Sequence, residues 1–334
     1  MDQREHRILR IVALTTAVAL GATAVLVARR SRREEINNPP TGKFIEVDGV
    51  KLHYIEKGQG PPVVLLHGNG TMAEDFVTSG VIEQVARNYR AIAIDRPGYG
   101  YSDRPRDRLW TPRAQADLLA KAFERLGILK PVVVGHSWGT LVALGLAIDH
   151  PKSVKALLLL SGYYFPTPRL DVALFAPPAI PVIGDILRYT ISPLIGRALA
   201  PKLIRKMFAP RPVPTSFSRD FPIELTIRPK QIRASAEEAA FMIPAAAGLR
   251  GRYHSIEMPV TLASGAADRV VDVEKQSLAL YRKLPHAELH IIPGVGHMMH
   301  YGSSERIVEF IDGLMRARAD SLAQTSATIV TAVP

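Results

Sequence analysis

The sequence predicts an α/β fold, a mostly parallel doubly wound sheet with a block of helices inserted after its sixth strand. Three observations carry that expectation. Short apolar runs of strand length alternate with amphipathic helical stretches from residue 43 onward. Most of these runs lack polar alternation, which suits strands buried on both faces of a parallel sheet. The alternation breaks near Tyr163 and resumes near Met258, and the stretch between is rich in proline and in apolar residues at helical spacing. Strands alternating with helices imply right-handed crossovers and sites at the carboxyl ends of the strands, so function is sought there.

The elements follow in order. Lys43 to Val47 and Val50 to Glu56 alternate around Asp48-Gly49, a dipeptide suited to the positive φ angles of a tight hairpin. Pro62 to Leu66, Arg90 to Ile94, Pro131 to Val134 and Val154 to Leu160 are the buried strands. Between them the clearest helix is Pro112 to Leu126, with Thr111 as cap, Pro112 at the first position, and Leu118, Leu119, Ala122, Phe123 and Leu126 on one face. The inserted helices are marked by Ile183, Ile186 and Leu187, then Leu194, Ile195 and Leu199, then Leu203, Ile204 and Met207. After the insert come a strand at Pro259 to Ser264, a helix around Asp272 to Leu284, a strand at Glu288 to Ile292 and a last helix near Ser304 to Arg318. The domain pattern is therefore core over 43–162, insert over 163–257, core again over 258–318, and a flexible tail over 319–334.

The 334 residues are 47% hydrophobic and 22% charged, enough for a large core. No cysteine is present, which excludes disulfides, thiol nucleophiles and thiolate metal sites. The net charge of +11 fits anionic lipid, nucleic acid or a basic soluble surface. Nucleic acid ranks last, because zinc-finger spacing, an aromatic RNA-binding signature and a long basic helix are all missing. From Arg169 to Arg252 there are 13 basic against six acidic residues, so most of the excess charge belongs to the insert.

Ile11 to Ala28 forms 18 consecutive uncharged residues, and a helix of that length spans about 27 Å, close to the hydrocarbon core of a bilayer. It reads as a single-pass membrane anchor with a flank over 1–10 and a basic linker over 29–42 that contains Asn37-Asn38-Pro39-Pro40. The alternative is a cleaved secretory signal peptide with Ala22-Thr23-Ala24 as its site. The cluster Arg29, Arg30, Arg32 and Arg33 would then head the mature chain and oppose export, which favours the anchor. Arg4, Arg7 and Arg10 precede the span and those four arginines follow it, a small imbalance that leans toward placing the domain after it on the cytoplasmic side.

Gly135-His136-Ser137-Trp138-Gly139 lies between the apolar run Val132 to Val134 and a helical stretch beginning at Thr140. A serine at such a strand-to-helix turn has a strained backbone and an exposed oxygen, and the flanking glycines allow close packing. A serine needs a base, and the base needs a group that holds its tautomer. His297, after the strand and the loop Gly294-Val295-Gly296, is the expected base. Asp268, in the loop Ser264 to Arg269, is the expected orienting acid, with Asp272 and the more remote Asp171 as fallbacks. The other histidines read as surface or core. His67-Gly68-Asn69-Gly70 follows another strand end, so the backbone N–H groups of Asn69 and Trp138 are the expected oxyanion donors. Asp95-Arg96-Pro97-Gly98-Tyr99-Gly100 reads as a structural turn that scaffolds the oxyanion loop.

Together, the His-Gly loop at 67, the turn at 95, the elbow at 135, Asp268 and the Gly-x-Gly-His at 294 resemble the α/β-hydrolase superfamily over about residues 43 to 318. The resemblance implies that the insert is a helical lid that sets substrate choice. Asn69 and Trp138 are similar to the halide-holding pair of haloalkane dehalogenases, and the Asp95 turn is similar to that of epoxide hydrolases. Those enzymes attack with an aspartate where this chain has Ser137, and Gly70 replaces the proline of the epoxide hydrolases' oxyanion loop, so neither activity is expected. Expected instead is acyl transfer to water through Ser137 with no metal or organic cofactor, on a small-molecule acyl substrate, in the first instance a hydrophobic carboxylic ester. A carbon–carbon bond hydrolase, a perhydrolase and a non-catalytic binding protein on the same fold are the alternatives.

Overall fold

The computed structural model describes residues 3–317 and 329–331. Helix α1 (Gln3–Asn37) leads to the hairpin of β1 (Lys43–Val47) and β2 (Val50–Lys57), then β3 (Pro62–Leu66), α2 (Glu74–Thr78), α3 (Val81–Val85), β4 (Arg90–Ile94), α4 (Pro112–Arg125), β5 (Val132–His136), α5 (Gly139–Asp149) and β6 (Ala156–Leu160). Six helices follow before the sheet resumes: α6 (Leu170–Phe175), α7 (Ile183–Tyr189), α8 (Ile191–Phe208), α9 (Thr215–Asp220), α10 (Ile223–Thr226) and α11 (Pro229–Arg250). The chain ends with β7 (Val260–Gly265), a π turn at Glu274–Leu278 that runs into α12 (Ala279–Tyr281), β8 (Glu288–Ile292), α13 (Ser304–Arg316) and β9 (Ile329–Thr331).

The strands form one sheet in the order β1-β2-β4-β3-β5-β6-β7-β8-β9. Only β1 with β2 and β2 with β4 pair antiparallel; every later pairing is parallel. From β3 the chain winds first toward β4 and then back toward β5, so the switch in direction lies where the carboxyl ends of β3 and β5 are neighbours. The crevice beyond such a switch point is where doubly wound sheets place their sites.

Both faces of the sheet are covered, as the unbroken apolar runs require. On one face, Val133, Leu157 and Leu159 pack with Leu119 and Phe123 of α4 and Leu141 and Leu144 of α5. On the other, Val132, Val134, Leu158 and Leu160 meet Phe76, Ile82, Val85, Ile307 and Ile311 of α2, α3 and α13. The period-two alternation of the strands assigns each residue to its face. The hairpin turns at Asp48 and Gly49, with φ of +49° and +72°. Thr111 caps α4 by accepting a hydrogen bond from the Ala114 backbone N–H at 3.2 Å.

Three expectations are corrected. The stretch 29–42 is a helix rather than a linker as far as Asn37, because α1 continues through the basic cluster. Its end is held by ion pairs, Arg30 with Glu224 at 2.9 Å and Glu35 with Arg228 at 2.7 Å. Contacts 193 and 194 residues away in the chain have no local signature, and local composition alone suggested a coil. The tail is not wholly irregular either: Ile329–Thr331 adds a ninth strand parallel to β8, with Leu289 opposite Ile329. The remainder of that tail, and the first two residues of the N-terminal flank, lie outside the described residues. The helix expected over Asp272 to Leu284 is shorter and begins as a π turn.

Replacing Thr111 with alanine leaves the α4 N-terminus without its side-chain acceptor and should cost about 1 kcal/mol, read as a lowered urea midpoint at unchanged m-value.

Candidate active site

Ser137 occupies the turn between β5 and α5 with φ of +51°, a left-handed conformation that a serine adopts at a cost. The neighbouring glycines explain how the turn closes. A Cβ on Gly135 would sit 2.8 Å from the Gly139 carbonyl oxygen, and one on Gly139 would run into the carbonyls of Leu66 and His67 at the end of β3. The start of α5 therefore lies directly against two strand ends. The Ser137 backbone N–H donates to the Leu160 carbonyl at 2.9 Å, which ties the turn to β6.

His297 and Asp268 arrive from the loops after β8 and β7. The Ser137 Oγ lies 3.0 Å from His297 Nε2, and His297 Nδ1 lies 2.8 Å from Asp268 Oδ2. With the ring proton on Nδ1, the imidazole donates to the carboxylate and presents Nε2 as acceptor to the serine hydroxyl. The other carboxylate oxygen of Asp268 accepts from the backbone N–H groups of Val270 at 2.7 Å and Val271 at 2.9 Å. Burial alone would raise this carboxyl, but the His297 imidazole and the two amides outweigh it and hold the group below its ordinary range. Asp272 points elsewhere, accepting from the Lys275 backbone N–H at 3.0 Å. Asp171 lies on α6, and its side chain is outside the described residues.

The loop after β3 completes the arrangement. Among the described residues, no hydrogen bond occupies the backbone N–H of Asn69 or of Trp138. Beneath this loop Arg96 donates to the carbonyls of His67 at 2.8 Å and Gly68 at 3.0 Å. Asp95, wholly buried, accepts from the backbone N–H groups of Ala73 and Tyr101 at 2.8 and 2.9 Å and pairs with His53 at 2.7 Å. The turn at 95 is thus the scaffold that its position suggested. His67 is held neutral: burial and the Arg96 guanidinium push it down to about 3.

The sequence reading missed what Arg96 is paired with. Glu238, on α11 of the insert, meets the guanidinium with both carboxylate oxygens, one at 3.1 Å, and also accepts from the Tyr99 hydroxyl at 2.6 Å and Gln115 Nε2 at 3.0 Å. Arg96 and Glu238 have no exposed side-chain surface. A glutamate in an alanine-rich helix gives no sign that it is buried; only its partners show that. The same helix accepts from the Asn69 side-chain amide at the Ser235 carbonyl, 3.0 Å, and from the Trp138 indole at the Glu238 carbonyl, 3.3 Å. From the other side, the Met207 carbonyl near the end of α8 accepts from the backbone N–H groups of His297 at 3.1 Å and Met298 at 3.3 Å. The insert therefore grips the site at both the serine and the histidine.

Behind His297 lie Asp75, His136 and His300, all buried, with donor atoms close enough to suggest a metal cluster. Much of that capacity is already engaged. Asp75 accepts from His300 Nε2 at 3.0 Å and from the Tyr301 hydroxyl at 2.9 Å, while His136 Nε2 bonds the His297 carbonyl at 3.1 Å. Burial and the neighbouring imidazoles of His300 and His297 push His136 well below its ordinary value, so it is neutral and donates from Nε2. The group fits a strut that holds the His297 loop against β5 and α2. Sequence reading left His300 as surface or core; it is core.

The family model described as the alpha/beta hydrolase family matches residues 63–310, and the chain belongs to that family. Among curated relatives, the 2-hydroxymuconate semialdehyde hydrolase of Pseudomonas putida is 27% identical over 298 residues, covering 85% of this chain and 97% of the relative. The cis-3-alkyl-4-alkyloxetan-2-one decarboxylase of Shewanella oneidensis is 27% identical over 294 residues, covering 81% and 87%. Among solved structures, a membrane phospholipase A described as a bacterial virulence factor superposes with a TM-score of 0.63 at 24% identity, covering 93% of this chain and 100% of that one.

Two substitutions probe the scaffold. Glu238→Ala strands the Arg96 charge in the interior and should cost about 3–5 kcal/mol in denaturant unfolding. Gly139→Ala forces a methyl against two backbone carbonyls and should cost about 1–3 kcal/mol, seen as a lowered thermal midpoint.

Proposed function

We propose that this protein is a serine hydrolase that works through an acyl-enzyme on a hydrophobic carboxylic ester, with Ser137 as nucleophile, His297 as base and Asp268 as the acid that orients it. The observation that carries the reading is the unbroken hydrogen-bonded line from the Ser137 Oγ through both nitrogens of His297 to Asp268. In the first step Nε2 takes the hydroxyl proton as Oγ attacks the carbonyl carbon. The resulting oxyanion accepts from the backbone N–H groups of Asn69 and Trp138, each good donor being worth about 3 kcal/mol in such a site. The ester C–O bond then breaks, and the alcohol leaves with the proton returned by His297. A water molecule, deprotonated by the same imidazole, attacks the acyl carbon, and collapse releases the carboxylic acid and restores Ser137. No step needs a metal or an organic cofactor.

An apolar substrate and a membrane setting are supported by the helical insert, which acts as a lid, and by α1. The first seventeen described residues of α1 are exposed all round, although most of that stretch is apolar, and a bilayer is the environment in which such a helix is stable. We read α1 as a membrane anchor, with the catalytic domain on the cytoplasmic side. A second reading, hydrolysis of a carbon–carbon bond by the same three residues, is favoured by the relative that acts on 2-hydroxymuconate semialdehyde.

The folded protein should be labelled by a fluorophosphonate probe and turn over p-nitrophenyl butyrate, and Ser137→Ala should abolish labelling and lower kcat by roughly 10⁶. Asp268→Asn leaves the wrong tautomer and should lower kcat by about 10⁴. A wild-type protein that is folded yet neither labelled nor active on the ester would sink the serine mechanism. Turnover of 2-hydroxymuconate semialdehyde in preference to the ester would select the second reading. The Asp268 carboxyl also leaves a stability signature. Its folded value lies below its unfolded one, so the stability it contributes is present above the ordinary carboxylate range and is lost as pH falls through the lowered value. Asp268→Asn should therefore unfold less steeply in acid than the wild type.

A further inference from the structure

Where α1 meets the rest of the protein is itself informative. Through residue 19 the helix is exposed on every side. From Leu20 onward a stripe at helical spacing, Leu20, Thr23, Ala24, Val27, Ser31, Glu34 and Glu35, is partly or fully shielded, and α1 packs against α7 and α10 of the insert. The apolar stretch runs to Ala28, so its last nine residues, about 13 Å of helix, lie alongside the folded body. If residues 11–28 cross a bilayer, the neighbouring part of the insert cannot stay outside it, because the two overlap in depth. An overlap of this size is more than enough for the roughly 5–10 Å by which interfacial helices sink into a leaflet.

The surface beside that overlap has the matching chemistry. On α7, the turn before it and the first half of α8, Val182, Ile183, Ile186, Ile191, Leu194 and Ile195 are 45–71% exposed. Ile191, Leu194 and Ile195 share one face of α8, and the same face continues at i+4 and i+7 spacing into Lys202, Arg205 and Lys206. Those three are exposed and, among the described residues, form no ion pair. The exposed Arg29, Arg32 and Arg33 stand at the corresponding end of the apolar stretch of α1. An apolar face bordered by unpaired cations fits acyl chains below and anionic headgroups above. Six large aliphatic side chains exposed on two helices that pack together and on the turn before them carry in water the cost of apolar surface that soluble proteins avoid.

We propose that the exposed face of α7 and α8 is a membrane-docking surface, seated in the leaflet of an anionic bilayer next to the point where α1 leaves it. The proposal rests on reading α1 as an anchor. Docking here fixes the orientation of the catalytic domain, since α8 runs from this face at Ile191 to the Met207 carbonyl that holds the His297 backbone.

The chain has no cysteine, so single cysteines can be placed at will. Full-length Leu194→Cys and Ile186→Cys, each carrying an NBD fluorophore, are reconstituted in phosphatidylcholine vesicles containing phosphatidylglycerol, with Leu129→Cys as a distant control that is 79% exposed. The expected result is a blue-shifted emission at positions 194 and 186, quenched several-fold by doxyl-labelled lipid, against a solvent-like, unquenched signal at 129. A carbonate wash of the same vesicles reports on α1. Protein that resists the wash while 194 and 186 stay solvent-like overturns docking and leaves the anchor standing. A blue shift without doxyl quenching also overturns it, since a second protein copy would then cover the face. Release by carbonate removes the anchor reading and the docking proposal with it.

Discussion

The close approach of α5 to the ends of β3 and β5 is the constraint on which the site depends. Only glycine at 135 and 139 lets a helix start within contact of those strand ends, and that crowding turns Ser137 into a left-handed conformation. The strain is held by a sheet buried on both faces, whose packing cannot relax without exposing two apolar cores. The hydroxyl is thereby lifted to the rim of the sheet, at the point where the chain changes winding direction and two neighbouring loops diverge. Asp268 and His297 then reach it from the loops after β7 and β8, beyond β6.

A second layer of order comes from the insert. Were Arg96 left alone, it would be an uncompensated buried cation; with Glu238, Tyr99 and Gln115 it becomes the joint between core and insert. The same guanidinium fixes the carbonyls of His67 and Gly68, so the loop that offers the Asn69 amide is set by a residue of the insert at one remove. The insert and the loop that carries the Asn69 amide are therefore mechanically linked in this protein. The N-terminal helix joins the same body through Arg30, Glu35 and their partners, so α1, the insert and the serine lie along one continuous path of contacts.

How far the sequence could be read depended on whether the signal was local. The alternation of buried strands and helices, the Asp48-Gly49 turn and the Thr111 cap are all short-range features, and the structure reproduces them within a few residues. So are the glycines around Ser137 and the loops that carry Asp268 and His297, which is why three residues remote in the chain could be named before any coordinates. The unoccupied backbone N–H groups of Asn69 and Trp138 stand at the same kind of local signal, a strand-end glycine loop and a strand-to-helix turn; their use as oxyanion donors belongs to the proposal.

Length, pattern and turn chemistry therefore determined the fold class, the order of its elements and the candidate side chains, because periodicity and backbone preference act over a handful of residues. The meetings of distant groups, by contrast, became visible only in the folded chain. These are the Arg96–Glu238 joint across 142 residues, the Asp75–His300 strut, the docking of the second half of α1 against the insert, and the ninth strand at Ile329–Thr331. Each of these rests on burial or on a partner, and neither is a property of the residue's neighbours in the chain. A charge in the interior is stable only beside its counterpart, and the sequence does not say which counterpart the folding will bring.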